Sequence, residues 1–362
     1  MRGLRPYALV RGVNDVASAV ALRLHEAGYA VVLEESPAPA VTRRGQSFAD
    51  ALFEGVAQLA GVMARRESDV AHWARNGAHD IAVCALPLDA ILAALQPEVL
   101  VDARMRTRAI PESQRGRAPL VIGLGPSFVA GGNVDLAVET AWGGGSGQAL
   151  SHGRNDEAVS EGSRVFGVAE RPARIAAGVQ RALLARFGLL PLGRAAIAGV
   201  LRNAQAGELS LYACTLGLNQ RGYRDMLETC LPGAAAEIPD ISPAYMLCLA
   251  QTPALFDPLA RLIEAHQAPD MGGRPARWLA RAIAAAGFGQ RHLWQDLGLS
   301  CRAETSRLIA LHFPALAEGN HADLKWKRYL FQTLGRELGI ADLNPPACGG
   351  CDSYATCVGA AP

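Results

Sequence analysis

The sequence carries almost no net charge. Its 362 residues include 35 Lys and Arg against 34 Asp and Glu, which leaves a formal charge of +1. Steering onto nucleic acid or anionic lipid depends on an excess of basic residues that this composition does not provide. We therefore expect neither nucleic acid nor a membrane surface as a partner.

A long apolar run is also lacking. No segment approaches the roughly 20 apolar residues that a helix needs to cross a bilayer. The first residues, Met1 to Tyr7, lead into a short strand-like segment instead of the apolar core of a signal peptide. These two features predict a cytoplasmic protein without a membrane span.

Apolar residues are plentiful, at 50% of the chain, and the length exceeds the usual size of one core, so we expect two domains. In the first half, short apolar runs alternate with helical periodicity. The strand candidates are Tyr7–Val10, Ala30–Glu34, Asp80–Cys84, Val99–Val101 and Pro119–Ile122, and Asp15–Glu26 is the first helix candidate. Alternation of this kind is typical of a largely parallel sheet with helices on its faces.

The pattern changes after residue 150. The stretch Ser151–Ser163 is polar, and residues 151–175 are predicted to be a linker, which leaves 1–150 as an α/β domain and 176–362 as an all-α domain. The helical half contains a faint internal echo. Leu216-Gly217-Leu218 and Leu297-Gly298-Leu299 each precede a helix candidate that ends at a proline, either by coincidence of punctuation or because a helical unit is duplicated.

Three of the eight cysteines lie close together at the end of the sequence. Cys348, Cys351 and Cys357 have the spacing C-x2-C-x5-C, which is typical of ligands for a soft metal or an iron–sulfur cluster. Zinc is the alternative. Both kinds of site usually have four ligands, so the fourth is supplied from elsewhere, left open or filled by cargo. Further ligand candidates are Cys301, His292 and His321, whereas His312 is expected in the core.

Two glycine-containing loops follow strand candidates in the first half. Gly12 and Asn14 lie between the first strand and the first helix, where a dinucleotide fingerprint belongs, and Gly123 and Gly125 follow a later strand. Asp102 ends the strand between them. Ligands bind at such strand ends in α/β sheets, so these five residues are candidate cofactor-binding residues. A plain structural turn is the alternative, because Asn14 replaces the second glycine of the fingerprint.

At these positions the first half resembles the YqeB-type maturation proteins of selenium-dependent molybdenum hydroxylases, which are related in role to XdhC. The resemblance covers roughly residues 7–150 and is carried by Gly12–Ala17, Thr42–Ala51, Val99–Ala103 and Pro119–Pro126. It implies a Rossmann-like domain in molybdenum metabolism that binds a nucleotide or molybdopterin.

The second half is similar to the NifQ family. Arg291–Leu299, His312–Leu316, Lys325–Phe331 and the cysteine run carry this resemblance, although Leu343 stands where family members usually have a first cysteine. The resemblance implies an iron–sulfur or mixed molybdenum–iron–sulfur site and a role in donating molybdenum to the iron–molybdenum cofactor of nitrogenase. Lys325, Lys327 and Arg328 either guide molybdate or form a charged helix face.

Three functional hypotheses follow. The first is a non-catalytic molybdenum carrier that receives molybdate or a molybdenum–sulfur species and serves nitrogenase cofactor assembly proteins. The second is a maturation factor for molybdenum hydroxylases whose first half binds a nucleotide or molybdopterin. The third is an interaction protein that is stabilised by zinc at its cysteines.

Overall fold

The computed structural model describes residues 5–40, 45–106, 111–140, 148–150, 153–154, 170–231 and 243–346. The chain divides into two compact units, Met1–Arg186 and Phe187–Pro362. The first unit is built on a mixed sheet with helices and the second is helical, which confirms the prediction of an α/β half followed by an all-α half. Most of the predicted linker, 151–175, lies outside the described residues.

The described part of the first unit contains strands and helices in alternation. Its strands are β1 (Tyr7–Arg11), β2 (Ala30–Glu34), β3 (Val56–Leu59), β4 (Val62–Arg66), β5 (Ile81–Cys84), β6 (Val99–Asp102), β7 (Leu120–Leu124), β8 (Val129–Ala130), β9 (Leu136–Val138), β10 (Ala149–Leu150) and β11 (Gly153–Arg154). Its helices are α1 (Asp15–Glu26), α2 (Asp50–Glu54), α3 (Val70–Arg75), α4 (Leu88–Leu95) and α5 (Glu170–Phe187).

Nine of these strands form one sheet in the order β10-β9-β7-β6-β1-β2-β5-β4-β3. All neighbours from β4 to β9 are parallel, and the two edge strands β3 and β10 are antiparallel to theirs. The chain moves from β1 outward to β2 and β5, and then returns to the other side of β1 with β6. The strand order therefore reverses next to β1.

The central strands are buried because their sequences are continuous apolar runs. Leu9, Val32, Leu100 and Val121 belong to one core cluster, which Trp73 of α3 and Ile91 of α4 complete. Helix α1 packs on β1 and β2 with its own buried apolar side chains. A parallel strand covered on both faces needs this composition, since neither of its faces meets water.

The second unit is helical in its described residues. It contains α6 (Pro191–Gln205), the 3-10 helix Leu211–Cys214, α7 (Gln220–Cys230), α8 (Pro243–Ala250), α9 (Phe256–Ala265), α10 (Gly273–Gly287), α11 (Leu293–Asp296), α12 (Arg302–His312), α13 (Pro314–Gly319) and α14 (Trp326–Leu338). A row of aromatic rings joins several of these elements. Tyr212, Phe256, Phe288 and Phe331 follow one another with ring centroids 5.2 to 6.4 Å apart.

One three-element arrangement occurs twice in this unit. The first copy consists of α6, the 3-10 helix Leu211–Cys214 and α7, which have 15, four and 11 residues. The second copy consists of α10, α11 and α12, which have the same three lengths. Each element of the second copy starts 82 residues after its counterpart in the first, at 273 and 191, at 293 and 211, and at 302 and 220. The C-cap residues of α7 and α12 also have the same backbone conformation: φ is −136° and ψ is 63° at Leu231, and φ is −135° and ψ is 62° at Phe313. The echo in the sequence therefore corresponds to two structurally matching copies.

The two copies contact each other reciprocally through matching positions. Gly199 of α6 lies against the carbonyl oxygen of Leu297, in the glycine turn of the second copy. Arg281 of α10, at the matching position, donates hydrogen bonds of 2.7 and 2.6 Å to the carbonyl oxygens of Leu216 and Gly217, in the glycine turn of the first copy. The first helix of each copy thus contacts the glycine turn of the other copy.

Candidate functional site

Charged residues end the central strands and lie side by side at one edge of the sheet. The register pairs Arg11 of β1 with Glu34 of β2 on one side and with Asp102 of β6 on the other. Asp102 is in turn paired with Gly123 of β7. These are the carboxyl ends of parallel strands next to the reversal of strand order, which is where open α/β sheets bind their ligands.

The loop after β1 is held closely by the protein itself. Gly12 has a φ of +111°, and a Cβ atom there would lie 2.9 Å from the carbonyl oxygen of Ala103. The Asn14 side chain caps α1 by accepting a hydrogen bond of 2.9 Å from the Ala17 N–H, and it donates one of 2.8 Å to the same Ala103 oxygen. Gly12 and Asn14 therefore both join this loop to the end of β6.

The glycines of the second loop, Gly123 and Gly125, lie close to neighbouring side chains of the same unit. A Cβ atom on Gly123 would overlap the ring of Phe128. Gly125 has a φ of +111°, and a Cβ atom there would lie 3.4 Å from the Met105 sulfur. The glycines at 123 and 125 thus allow close packing and a left-handed backbone, and their predicted part in cofactor binding stays a prediction.

A buried network of ion pairs occupies the sheet edge. Arg11 Nε donates to Glu34 Oε2 at 2.8 Å, and Arg104 Nε donates to Asp102 Oδ1 at 2.9 Å. Asp102 is 1% exposed, and both arginine side chains are less than a tenth exposed. Burial opposes the charged form of Arg104, but its hydrogen bonds to Asp102 and Glu112 raise the pKa of this guanidinium above its ordinary value.

Glu112 joins the two arginines. Although burial alone would raise the pKa of Glu112, hydrogen bonds from its own backbone N–H and from Arg11 and Arg104 lower it to about 2. The carboxylate is therefore charged at neutral pH. Gln114, which is fully buried, donates a further hydrogen bond of 3.1 Å to Glu112 Oε1. The sequence pattern indicated Asp102 as a site residue but gave no signal for Arg11, Glu112 and Gln114.

The three clustered cysteines, Cys348, Cys351 and Cys357, lie outside the described residues. Among the described residues no group of three or more His, Cys, Asp and Glu side chains is placed to hold a metal ion. The additional ligand candidates His292, Cys301 and His321 are all exposed, and they lie before α11, before α12 and between α13 and α14, respectively. The predicted metal ligands therefore stay a prediction.

The last described segment folds back against α14. The helix ends at Gly339, whose φ of +68° reverses the chain, and the Ile340 N–H donates a hydrogen bond of 2.8 Å to the Gly335 carbonyl oxygen. A Cβ atom on Gly335 would lie 2.9 Å from that of Leu343. Leu343, where the resemblance of the second half leads us to expect a cysteine, thus lies beside the end of α14.

Lys327 is bound within the helical unit. Its Nζ donates to Asp296 Oδ2 at 2.7 Å and to the Gly289 carbonyl oxygen at 2.8 Å. Asp296 is completely buried and also accepts a hydrogen bond of 3.0 Å from Arg291 Nε. This geometry favours the structural alternative for Lys327 over a role in guiding molybdate.

His312 is a core residue, as expected. It is fully buried, with Nδ1 2.9 Å from the Leu308 carbonyl oxygen and Nε2 3.3 Å from the Leu190 N–H. These partners require a neutral ring that donates from Nδ1 and accepts at Nε2. Burial lowers the pKa of His312 to about 4, against the opposing effect of the Leu308 carbonyl.

We expect this histidine to make the helical unit less stable in mild acid. Between about pH 6.5 and 4 the unfolded chain binds a proton that the folded chain does not, so the free energy of unfolding falls as the pH falls. The loss amounts to about 3 kcal/mol when the pH has passed through both pKa values. Urea unfolding from pH 7 to 4 measures it. His312→Gln keeps a donor and an acceptor but does not titrate, and an identical pH dependence in that variant would contradict this assignment.

No single helix in the described residues is long and apolar enough to cross a membrane. Helices α5 and α6 meet that test only when they are counted together as one bent pair, and the test considers length and composition alone.

Comparison with known proteins places the family signal in the second half of the chain. The NifQ family model matches residues 196–359. A NifQ homolog of Sinorhizobium fredii is 32% identical over 165 residues, which are 44% of this chain and 66% of that protein. Protein NifQ of Azotobacter vinelandii is 31% identical over 168 residues, which are 44% of this chain and 85% of that protein.

The uncharacterized protein YqeB of Escherichia coli is also similar. It is 33% identical over 160 residues, which are 44% of this chain but only 29% of YqeB. The resemblance of the first half to XdhC is not shown by these comparisons. No solved structure matches the chain. Since this chain is 31% identical to the Azotobacter protein and spans most of its length, it belongs to the NifQ family through its C-terminal half.

Proposed function

We propose that this protein carries molybdenum in the assembly of the iron–molybdenum cofactor of nitrogenase. The observation that carries the proposal is the match to the NifQ family over residues 196–359, which includes Cys348, Cys351 and Cys357. In this proposal molybdate or a molybdenum–sulfur species is the cargo, cofactor assembly proteins are the partners, and the cytoplasm is the site of action. The protein acts as a donor and does not catalyse a reaction.

The three cysteines are proposed to hold an iron–sulfur or mixed molybdenum–iron–sulfur cluster. Thiolates are soft ligands that suit such clusters, and the spacing C-x2-C-x5-C fits the donor set. When bound, the cluster supplies sulfide to which molybdenum attaches. With Leu343 in place of a fourth cysteine, three thiolates leave one ligand position to another residue, with Cys301, His292 and His321 as candidates, or to the cargo.

An alternative function is supported by the first unit. The parallel strands lie in the order β4-β5-β2-β1-β6-β7-β9, which resembles the strand order of a doubly wound Rossmann-like sheet. YqeB is also among the similar proteins. A maturation factor for molybdenum hydroxylases would bind a nucleotide or molybdopterin at the carboxyl edge. The close contact of Gly12 with Ala103 argues against a pyrophosphate beside that glycine. A zinc-stabilised interaction protein is the other alternative.

Metal analysis of anaerobically prepared protein tests the proposal. We expect iron, acid-labile sulfide and molybdenum, and we expect the replacement of Cys348, Cys351 and Cys357 by Ser to remove the iron and the charge-transfer absorption. The double variant Cys214→Ser, Cys248→Ser is the matched control, since these half-buried thiols lie in the same unit but outside the segment Cys348–Cys357, which we call the tail. Stoichiometric zinc without sulfide would favour the zinc-stabilised protein. Full iron content in the triple variant would show that the tail is not the site.

A further inference from the structure

Three donors from buried side chains converge on one carboxylate oxygen at the carboxyl edge of the sheet. Glu112 Oε1 lies 2.7 Å from Arg11 Nη1, 2.8 Å from Arg104 Nη2 and 3.1 Å from Gln114 Nε2. Two guanidiniums and an amide around one oxygen form a binding site for an oxygen anion. The protein fills this site with its own side chain.

The donors and the carboxylate differ in their access to solvent. The side chains of Arg11 and Arg104 are 8% and 7% exposed, and Gln114 is fully buried, but the Glu112 side chain is 49% exposed. The donors are therefore fixed within the fold. The carboxylate reaches them from a loop at the surface, so it can leave without disturbing the strands.

The remaining ion pairs keep the donors in place when Glu112 leaves. Arg11 stays paired with Glu34 through Nε, and Arg104 stays paired with Asp102 through Nε. These pairs hold the two guanidiniums at the end of β1 and just beyond β6, where the strand order reverses and where open α/β sheets bind ligands.

From this geometry we propose that Arg11, Arg104 and Gln114 form a binding site for a tetrahedral oxyanion, and that Glu112 occupies the site until the oxyanion displaces it. The two arginines face the three carboxylates of Glu34, Asp102 and Glu112, so the site already holds one net negative charge. Exchange of Glu112 for a singly charged oxyanion leaves that balance unchanged.

Gln114 adds a preference for a protonated oxyanion. Its Nε2 takes part in the site, but its Oε1 is buried and has no hydrogen-bond partner in the described part of the chain. A buried acceptor without a donor is unfavourable, and a hydroxyl group on the ligand supplies one. The phosphate group of a small ligand has such a hydroxyl, whereas molybdate, an unprotonated dianion at neutral pH, shares only the tetrahedral arrangement of oxygens. The proposal concerns the first unit alone, so it stands or falls separately from the cluster in the tail.

The test is calorimetric titration of the full-length protein with inorganic phosphate, molybdate and acetate. Glu112→Ala empties the site, and we expect it to bind phosphate or molybdate about tenfold more tightly than the wild type, because the half-exposed Glu112 carboxylate no longer competes for the two arginines. Glu112→Gln, which keeps the shape without the charge, should fall between them. Asp89→Ala is the matched control, since it removes an exposed carboxylate paired with Arg117 in the same unit. This control should bind like the wild type.

Arg104→Met in the Glu112→Ala background should abolish the binding. The tighter of the two tetrahedral anions identifies the source, a phosphate-bearing ligand or the molybdenum oxyanion. Equal affinities in the wild type and in Glu112→Ala would overturn the proposal. So would binding that is confined to acetate, because the space would then fit only the carboxylate that was removed. Absence of any binding to the wild type would show that Glu112 is a permanent part of the fold.

Discussion

Replacement of Asp296 by Ala is expected to lower the free energy of unfolding by about 3 to 5 kcal/mol. The carboxylate is completely buried and accepts hydrogen bonds from Lys327 and Arg291. The side chain of Lys327 is only 12% exposed, so without Asp296 its ammonium group loses a carboxylate counterion in a largely buried position. A buried charge that loses its counterion is costly because water cannot replace the lost partner.

Urea unfolding at pH 7 measures this effect, with Asp323→Asn as its control. Asp323 is also paired with an arginine, Arg302, but 83% of its side chain is exposed. Exposed pairs contribute at most about 1 kcal/mol, so the control should stay near the wild type. Equal losses in the two variants would mean that the pair between Asp296 and Lys327 contributes no more than a surface pair.

Gly199→Ala is expected to destabilise the helical unit by about 3 kcal/mol. A Cβ atom at position 199 would overlap the carbonyl oxygen of Leu297 and lie 2.9 Å from the Cα atom of Gly298. Both neighbours are backbone atoms, so relief requires α6 and the glycine turn to move apart. That movement also lengthens the two hydrogen bonds that Asn203 donates, at 2.9 Å each, to the carbonyl oxygens of Gln295 and Asp296.

The control for this substitution is Gly273→Ala, in the first turn of α10. A Cβ atom there meets nothing within 4 Å, so the change should be neutral or slightly stabilising because Ala favours the helix. Thermal unfolding of both variants gives the comparison. A Gly199→Ala protein with unchanged stability would show that the two copies are not in close contact at this point.

The regular part of the first unit could be predicted because burial leaves a plain signature. The helix Asp15–Glu26 and the strand Ala30–Glu34 have the predicted bounds, and the other central strands differ by a few residues at their ends. The hairpin of β3 and β4 gave no such signal. It lies at the sheet edge, where its side chains are largely exposed, and its turn uses Ala60 and Gly61 with φ of 48° and 79° instead of the usual Asn-Gly pair.

The charged edge could be predicted only in part. Asp102 was recognisable because a carboxylate ends an apolar strand. Arg11 and Glu112 are 101 residues apart in sequence, and Glu112 lies outside any strand or helix. Their contact depends on the sheet register, which no local pattern contains. Likewise the sequence predicted that Lys327 either guides molybdate or belongs to a charged helix face, because its partner Asp296 lies 31 residues earlier and no local pattern joins the two.

The reciprocal contacts between the two matching copies bear on how fast the helical unit folds. Helical proteins usually fold quickly because most of their contacts join residues that are near in sequence. Here Arg281 contacts a turn 65 residues earlier, Asn203 contacts one 92 residues later, and His312 meets Leu190 across 122 residues. Closing these loops costs chain entropy before the contacts form. The second unit should therefore fold at a rate closer to that of a mixed α/β domain than to that of a helical bundle, with neither copy folding ahead of the other.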